Sequence, residues 1–234
     1  MALFHSPNIV TNGLVLCLDA ANKKSYPGTG TTWTDLSGNG TIGTLTNGPT
    51  YSSANGGAIV FDGNNDYVLV NSNASIPYGA SARTVSIWFY TNTTTWQSDT
   101  NTLFFYGGGS DSNAFGIDMD NYPSIQVFTW GGGGRDLTFS TTYSQMGWKN
   151  ITVTYNGSTT ILIYENGVFT QTLALASPCN TTSSPVYIGA IDPSTTAGDS
   201  YFDGRISQAS IYNRALSAAE ILQNFNAMRG RFGL

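Results

Sequence analysis

The stretch FDGNNDYVLV, Phe61 to Val70, sets two aspartates and two asparagines within five residues, between apolar runs. Asp62, Asn64 and Asp66 alternate as the first three side-chain ligands of an EF-hand calcium loop do. The rest of that pattern is missing. Tyr67 stands where such a loop needs glycine, and Asn73 stands where it needs a bidentate glutamate. A turn explains the same residues: Asp62-Gly63 opens it, Asn64-Asn65 supports it and Tyr67 restarts a strand. A hairpin or other tight connection is therefore the first expectation, and calcium at Asp62 or Asp66 the second. A similar choice arises in TWTDLSGNG, where Asp35, Ser37 and Asn39 alternate among glycines. An Asx-stabilised turn comes first there too, with backbone and water oxygens able to complete a calcium shell. Asp203 in YFDGRI is a third calcium candidate and again reads first as a turn. No cofactor is required by any of this; calcium is an option the loops leave open.

Catalytic pairs are scarce. Retaining glycosidases need two carboxyl groups about 5 Å apart. The chain has only two glutamates. Glu220 lies in a Ser-x-x-Glu capping box, and Glu165, before Asn166-Gly167, reads as a solvated turn residue. Asp118 and Asp120 in GIDMD stand two apart, so on a strand they share a face and form the best remaining pair. The single histidine, His5, is in the N-terminal arm, and Lys23, Lys24 and Lys149 form no cluster. No catalytic residue is assigned, and the expectation is a protein that is not an enzyme.

Composition narrows the class further. Charged residues make up 10% of the 234-residue chain, against about 25% in a typical domain. The surface must then be built from Thr, Ser, Asn and Gly, which suits sugars or a crowded assembly. A net charge of −5 with nine scattered Lys and Arg offers no basic patch for nucleic acid. No apolar run reaches the ~18 residues that a membrane span requires, and MALFHSPNIVTNG does not read as a secretory signal. Cys17 and Cys179 read first as free thiols, with a disulfide open only if the fold brings them together.

Short segments rich in Val, Ile, Thr, Tyr and Phe, parted by turn residues, run through the chain. NITVTYNGSTTILIYENGVFTQTLAL carries two Asn-Gly pairs and predicts a three-stranded antiparallel meander. LSAAEILQNFNAMRG predicts the one helix, with Ser217 as N-cap and Ile221, Leu222, Phe225 and Met228 on one face. Many strands with one late helix predict an all-β, antiparallel two-sheet sandwich of jelly-roll type. The expected division is an arm over 1–12, the sandwich over 13–229 and a tail over 230–234.

GLVLCLDA, WTDLSGNGTIGTLTNGPTY, GGAIVFDGNNDYVLV, RTVSIWFY, LIYENGV, VYIGA and FDGRISQASIYNRALSAAEI occur in that order. In this order they resemble laminin-G-like domains of the concanavalin A-like lectin and glucanase superfamily, and the opening residues resemble laminin-G-like virion proteins of tailed phages, especially of cyanobacteria. The resemblance implies the sandwich fold, calcium near a sheet edge in some members, and sugar held at edge loops or on the concave sheet face. Glucanases of the fold pair two glutamates on one strand, which this chain lacks. Aromatic residues in loops could stack on sugar: Trp96, Tyr106, Tyr122 and Trp130, with Asp99, Asp111, Asn113, Asp120 and Arg135 as polar neighbours. Trp33, Trp88 and Trp148 fit packing roles.

The phage resemblance implies a decoration, fibre or tail-associated component on the virion exterior, made in the host cytoplasm without a signal peptide. Its expected partners are other virion proteins, further copies of itself, and host surface glycans. Leu3, Phe4 and Ile9 in the arm and Phe232 and Leu234 in the tail are the candidate assembly residues. The alternatives are a calcium-dependent lectin for host polysaccharide and, behind it, a glycan-degrading enzyme of the same fold.

Overall fold

A computed structural model describes residues 7–91, 101–120, 124–131, 134–141, 147–194 and 200–234. In chain order the strands are β1 (Leu14–Asp19), β2 (Thr32–Thr34), β3 (Ile42–Thr46), β4 (Thr50–Ser52), β5 (Ala58–Asp62), β6 (Tyr67–Val70), β7 (Arg83–Thr91) and β8 (Thr102–Gly107). They continue with β9 (Ala114–Asp120), β10 (Ser124–Phe128), β11 (Asp136–Ser140), β12 (Gly147–Tyr155), β13 (Thr160–Glu165), β14 (Val168–Ala174), β15 (Val186–Ile188) and β16 (Asp203–Tyr212). One α-helix follows, α1 (Ala218–Met228).

The strands form two antiparallel sheets that pack as a sandwich. The first runs β14-β13-β12-β7-β16-β5-β4, with β1 also paired to β16; the second runs β11-β10-β9-β8-β15-β6-β3-β2. The predicted meander is β12-β13-β14. Alternation along each strand builds the core. In β7, Val85, Ile87 and Phe89 point inward, where they join Phe104, Ile117, Val127, Ile151 and Ile188. The two cysteines are buried free thiols.

The Phe61–Val70 stretch is a tight connection but not a hairpin. β5 belongs to the first sheet and β6 to the second, so the turn carries the chain across the sandwich. Asp62 Oδ1 accepts from the Asn64 N–H (2.9 Å), and Asp66 Oδ2 accepts from the Asp62 N–H (3.2 Å). Gly63 takes the left-handed φ of 73° that this corner requires.

The loop after β2 solves a different problem. β1 would otherwise present bare backbone groups to solvent, a template for unwanted pairing. Asp35 Oδ1 accepts from the Cys17 N–H (2.7 Å), the Leu36 N–H donates to the Cys17 carbonyl (2.9 Å), and Asn39 Nδ2 donates to the Val15 carbonyl (3.0 Å). The loop thus covers the β1 edge with a mixture of side-chain and backbone partners.

The outer face of the first sheet is closed by α1 and the C-terminal residues. Trp88 stacks on Phe225 (5.4 Å between ring centroids, 7° between planes) and on Phe232 (4.3 Å, 18°), and Trp148 meets Phe232 at 4.6 Å. Phe232 is 7% exposed and Ile9 packs against the same cluster. These two assembly candidates are therefore used within this chain; Leu234 is 45% exposed, and Leu3 and Phe4 lie outside the described residues. Phe232→Ala removes the ring that two tryptophans rest on. It is expected to cost about 3 kcal/mol, read as a lower midpoint in denaturant melts followed by tryptophan fluorescence.

Helix α1 begins as its sequence predicts. Ser217 Oγ accepts from the Glu220 N–H, and the Glu220 carboxylate accepts from the Ser217 N–H (2.9 Å). Arg214 adds a two-pronged ion pair to Glu220, at 2.9 and 2.6 Å. That guanidinium, then the Ser217 N–H, push the Glu220 carboxyl down to about 2 from its ordinary 4.5. A depressed folded-state value stabilises the fold fully above pH 4.5 and is lost as pH falls towards 2. Glu220→Gln should flatten the stability–pH profile in that window, and Ser217→Ala should cost about 1 kcal/mol at neutral pH. Chemical denaturation across the pH series checks both.

Candidate functional site

The outer face of the second sheet is chemically different from that of the first. β9, β10 and β11 are consecutive antiparallel neighbours, and their register aligns Gly116 with Phe128 with Asp136, Asp118 with Gln126 with Thr138, and Asp120 with Ser124. Side chains alternate with period two, so all of these share one face. Gly116 makes room on it: a Cβ at that position would lie 2.0 Å from Phe128 Cζ. The Phe128 ring thus lies down over Gly116 rather than standing off the sheet. Phe105 stacks on it at 5.9 Å with 18° between planes, and Trp130 stands tilted 6.0 Å from both rings.

This aromatic floor opens into a cavity of about 290 Å³, lined in part by Asp118, Gln126, Phe128, Trp130, Asp136 and Ile191. Its size sits at the lower end of small-molecule sites, which begin near ~300 Å³. Phe128 and Asp118 are nearly closed off at 4% and 2% exposure, so Trp130, Gln126 and Asp136 present the accessible ring, amide and carboxylate, groups suited to the C–H faces and hydroxyls of a sugar.

Trp130 is held in place by its loop. Its backbone adopts a left-handed φ of 70°, as does Ser112 at 61°. Non-glycine residues pay about 1–3 kcal/mol for such conformations unless neighbours enforce them. Here the Ser112 N–H donates to the Trp130 carbonyl (2.9 Å), Arg135 Nε donates to Ser112 Oγ (3.1 Å), and Thr129 donates to the Arg135 carbonyl (3.0 Å). Arg135 also faces Asp111 at 3.6 Å. Gly131 has φ 93°, and a Cβ there would meet Asp111 Oδ1 at 2.3 Å. The 110–113 and 129–135 loops are thereby laced together behind the tryptophan.

The structure sorts the sequence-predicted residues. Trp130 lines the cavity. Asp120 lies on the same face and accepts from Thr138 Oγ1 at 3.0 Å. Asp111 and Arg135 support the Trp130 loop. Asn113 belongs to that loop's base, its carbonyl accepting from the Gly108 and Thr182 N–H groups at 2.9 and 3.0 Å. Tyr106 is corrected: it faces the core at 0% exposure, because β8 turns it inward with Phe104. Its hydroxyl donates to the Pro77 carbonyl (2.9 Å) and accepts from Arg83 (2.7 Å), and burial pushes the phenol up to about 12. Trp96, Asp99 and Tyr122 lie outside the described residues.

Phe128, Gln126, Asp136 and Ile191 were missed as site residues. The signal was the alternation of SIQVF, which puts Gln126 and Phe128 on one face, but only the register shows that this face meets Asp118.

Of the metal candidates, Asp35, Asn39, Asp62 and Asp66 take part in turn hydrogen bonds, whereas Asp203 is corrected from a turn residue to the first residue of β16. Asp35 is buried, with Oδ1 accepting from the Cys17 and Ser37 N–H groups at 2.7 and 2.8 Å and Oδ2 accepting from Ser37 Oγ. Asn39 donates to Val15 and accepts from Ser75 Oγ at 3.2 Å. Asp62 and Asp203 are cross-strand partners on β5 and β16. Asp66 is buried beside Asp62, and burial first, then the Asp62 charge, raise its carboxyl. Among the described residues, no group of three or more His, Cys, Asp or Glu is placed to hold a metal ion.

The carboxylates weighed as catalytic groups, Glu165, Asp118 and Asp120, lie on strands. Glu165 is corrected from a solvated turn residue to a buried one at 4% exposure, since β13 runs through it to the Asn166-Gly167 turn. Asp118 and Asp120 do share a face, and that face is the cavity side.

Residues 62–222 match the Laminin G 3 family model of the concanavalin A-like lectin/glucanases superfamily. The chain belongs to this family. No curated protein matches its sequence. Solved structures resemble the laminin-G-like fold closely at low identity. The binding domain of Paraclostridial mosquitocidal protein 1 has a TM-score of 0.69 at 19% identity, over 93% of this chain and 52% of that one. The binding domain of botulinum neurotoxin DC in complex with SialylT has a TM-score of 0.70 at 16% identity, over 93% and 52%. Domain 4 of AbnA, a GH43 extracellular arabinanase from Geobacillus stearothermophilus, in complex with arabinotriose, has a TM-score of 0.64 at 17% identity, over 90% and 97%. The chain spans about half the length of the toxin binding domains and nearly all of the arabinanase domain.

Proposed function

We propose that this laminin-G-like domain is a non-catalytic glycan-binding module that holds sugar on the outer face of its second sheet. The observation that carries the reading is the cavity floored by Phe128, walled by Trp130 and edged by Asp118, Gln126 and Asp136. The neighbours lend support: the arabinanase domain is in complex with arabinotriose and the neurotoxin DC binding domain is in complex with SialylT. The rings supply a stacking surface, and the carboxylates and the amide accept and donate to hydroxyls.

A display role on a particle exterior rests on the likeness of the opening residues to tailed-phage virion proteins. With Ile9 and Phe232 packed on the first sheet, that role leaves the second sheet's outer face to the ligand. The test is a polysaccharide array probed with the wild-type chain and with Trp130→Ala, in calcium and in EDTA. Saturable binding that Trp130→Ala weakens about 30-fold and EDTA leaves intact is the expected result. Binding that Trp130→Ala leaves undiminished, or that EDTA abolishes, would move recognition to another surface.

A further inference from the structure

The charges around the cavity choose among sugars. Asp118 and Asp136 line it, and Asp120 follows on the same face of β9. Asp192 stands next to the lining residue Ile191 and hydrogen-bonds the Tyr187 hydroxyl, which lies in the same aromatic cluster. Four aspartates therefore gather on one side of the sandwich.

Basic side chains do not offset them. Arg83 is in the core, Arg205 lies over Tyr90 on the first sheet, and Arg214 and Arg231 pair with Glu220 and Asp19. Arg229 lies over Phe225 beside the same outer face, Lys23 lies over Tyr51 with Lys24 beside it in sequence, and Lys149 donates to the Gly147 carbonyl. Arg135 alone stands by the cavity loop, turned towards Asp111 and Ser112. The six segments outside the described residues contain no Lys or Arg at all; they add Asp99 and Asp199 and the histidine His5. Wherever those segments lie, they bring no further lysine or arginine to the cavity.

We propose that the cavity selects neutral, hydroxyl-rich sugars and rejects acidic ones, such as uronates and sialylated chains. This rests on the glycan-binding reading of the same site. Vicinal hydroxyls donate to carboxylates as a bidentate pair, and such charge-assisted bonds are about twice as strong as neutral ones. A sugar carboxylate offers no donor to these aspartates and meets like charge in a partly desolvated site, where repulsion is screened less than in open water. The ring open to a ligand is the half-exposed Trp130, which stacks on any apolar C–H face, so the charge, not the stacking, makes the discrimination.

The experiment titrates the full chain with neutral pentose and hexose polymers, with polyuronates and with sialylated oligosaccharides, in low and in high salt. The expected result is that the best acidic ligand binds at least about ten-fold more weakly than the best neutral one in low salt. High salt and Asp136→Asn should each narrow that gap, Asp136 being exposed enough to change without disturbing the core. Near-ultraviolet circular dichroism of the variant confirms that it is folded. Equal or tighter binding of an acidic ligand, or a gap untouched by Asp136→Asn, overturns the selectivity while the glycan reading stands. No binding to any sugar overturns both.

Discussion

Trp130→Ala is expected to weaken glycan binding about 30-fold, or about 2 kcal/mol, with little change in stability. The ring is half-exposed at the cavity wall, meeting Phe105 and Phe128 only at a tilt, so few buried contacts are lost with it. What is lost is the surface on which a sugar ring would stack, and aromatic anchors in partly desolvated pockets carry a large share of binding energy. The variant also separates ring from backbone. Alanine at φ 70° bears the same strain as tryptophan, so loop geometry is kept. Trp130→Phe, which retains a flat face, should recover most of the affinity. Isothermal titration with the best array ligand reads both; unchanged affinity in the alanine variant would remove Trp130 from the site.

Arg83→Leu is expected to destabilise the fold by about 4 kcal/mol, a large part of the ~5–15 kcal/mol that holds a domain together. The guanidinium is fully buried at the end of β7. It donates to the Ser81 carbonyl (2.9 Å), the Gly79 carbonyl (2.6 Å), Tyr106 Oη (2.7 Å) and Thr181 Oγ1 (2.9 Å). It also lies over the rings of Phe115, Tyr155 and Tyr106 at 5.2, 5.3 and 5.7 Å. Leucine fills part of the volume but strands buried acceptors, each of which costs about 1–3 kcal/mol when left without a donor. Lysine keeps the charge and loses the planar fork, so it should rescue little. Urea melts measure the loss, and a change under 1.5 kcal/mol would contradict this role.

Arg83 also shows what single-sequence reading can and cannot reach. Local patterns were legible: the meander came from its Asn-Gly turns, and helix α1 from Ser217 and Glu220, because turns and caps are fixed by residues a few positions apart. Pairing over long separations was not. Tyr106 looked like a loop aromatic beside glycines, yet Arg83, 23 residues away, holds its hydroxyl in the core. The Asp62–Asp66 turn was readable, but not that it crosses between sheets, since that depends on β16 pairing with β5 and β15 with β6. The site was half visible for the same reason. Trp130 and Asp120 could be named from local chemistry. Phe128 and Asp136 joined them only through the β9-β10-β11 register, and Gly116 only through the ring that lies on it.

The most direct test is a crystal structure of the chain soaked with the neutral oligosaccharide that binds best. The account predicts a sugar ring in the Phe128–Trp130 cavity, against the half-exposed Trp130, with hydroxyls within hydrogen-bonding distance of Gln126 or Asp136. A sugar bound at the opposite edge of the sandwich, or on the first sheet near α1, with the Phe128–Trp130 cavity empty, would contradict it.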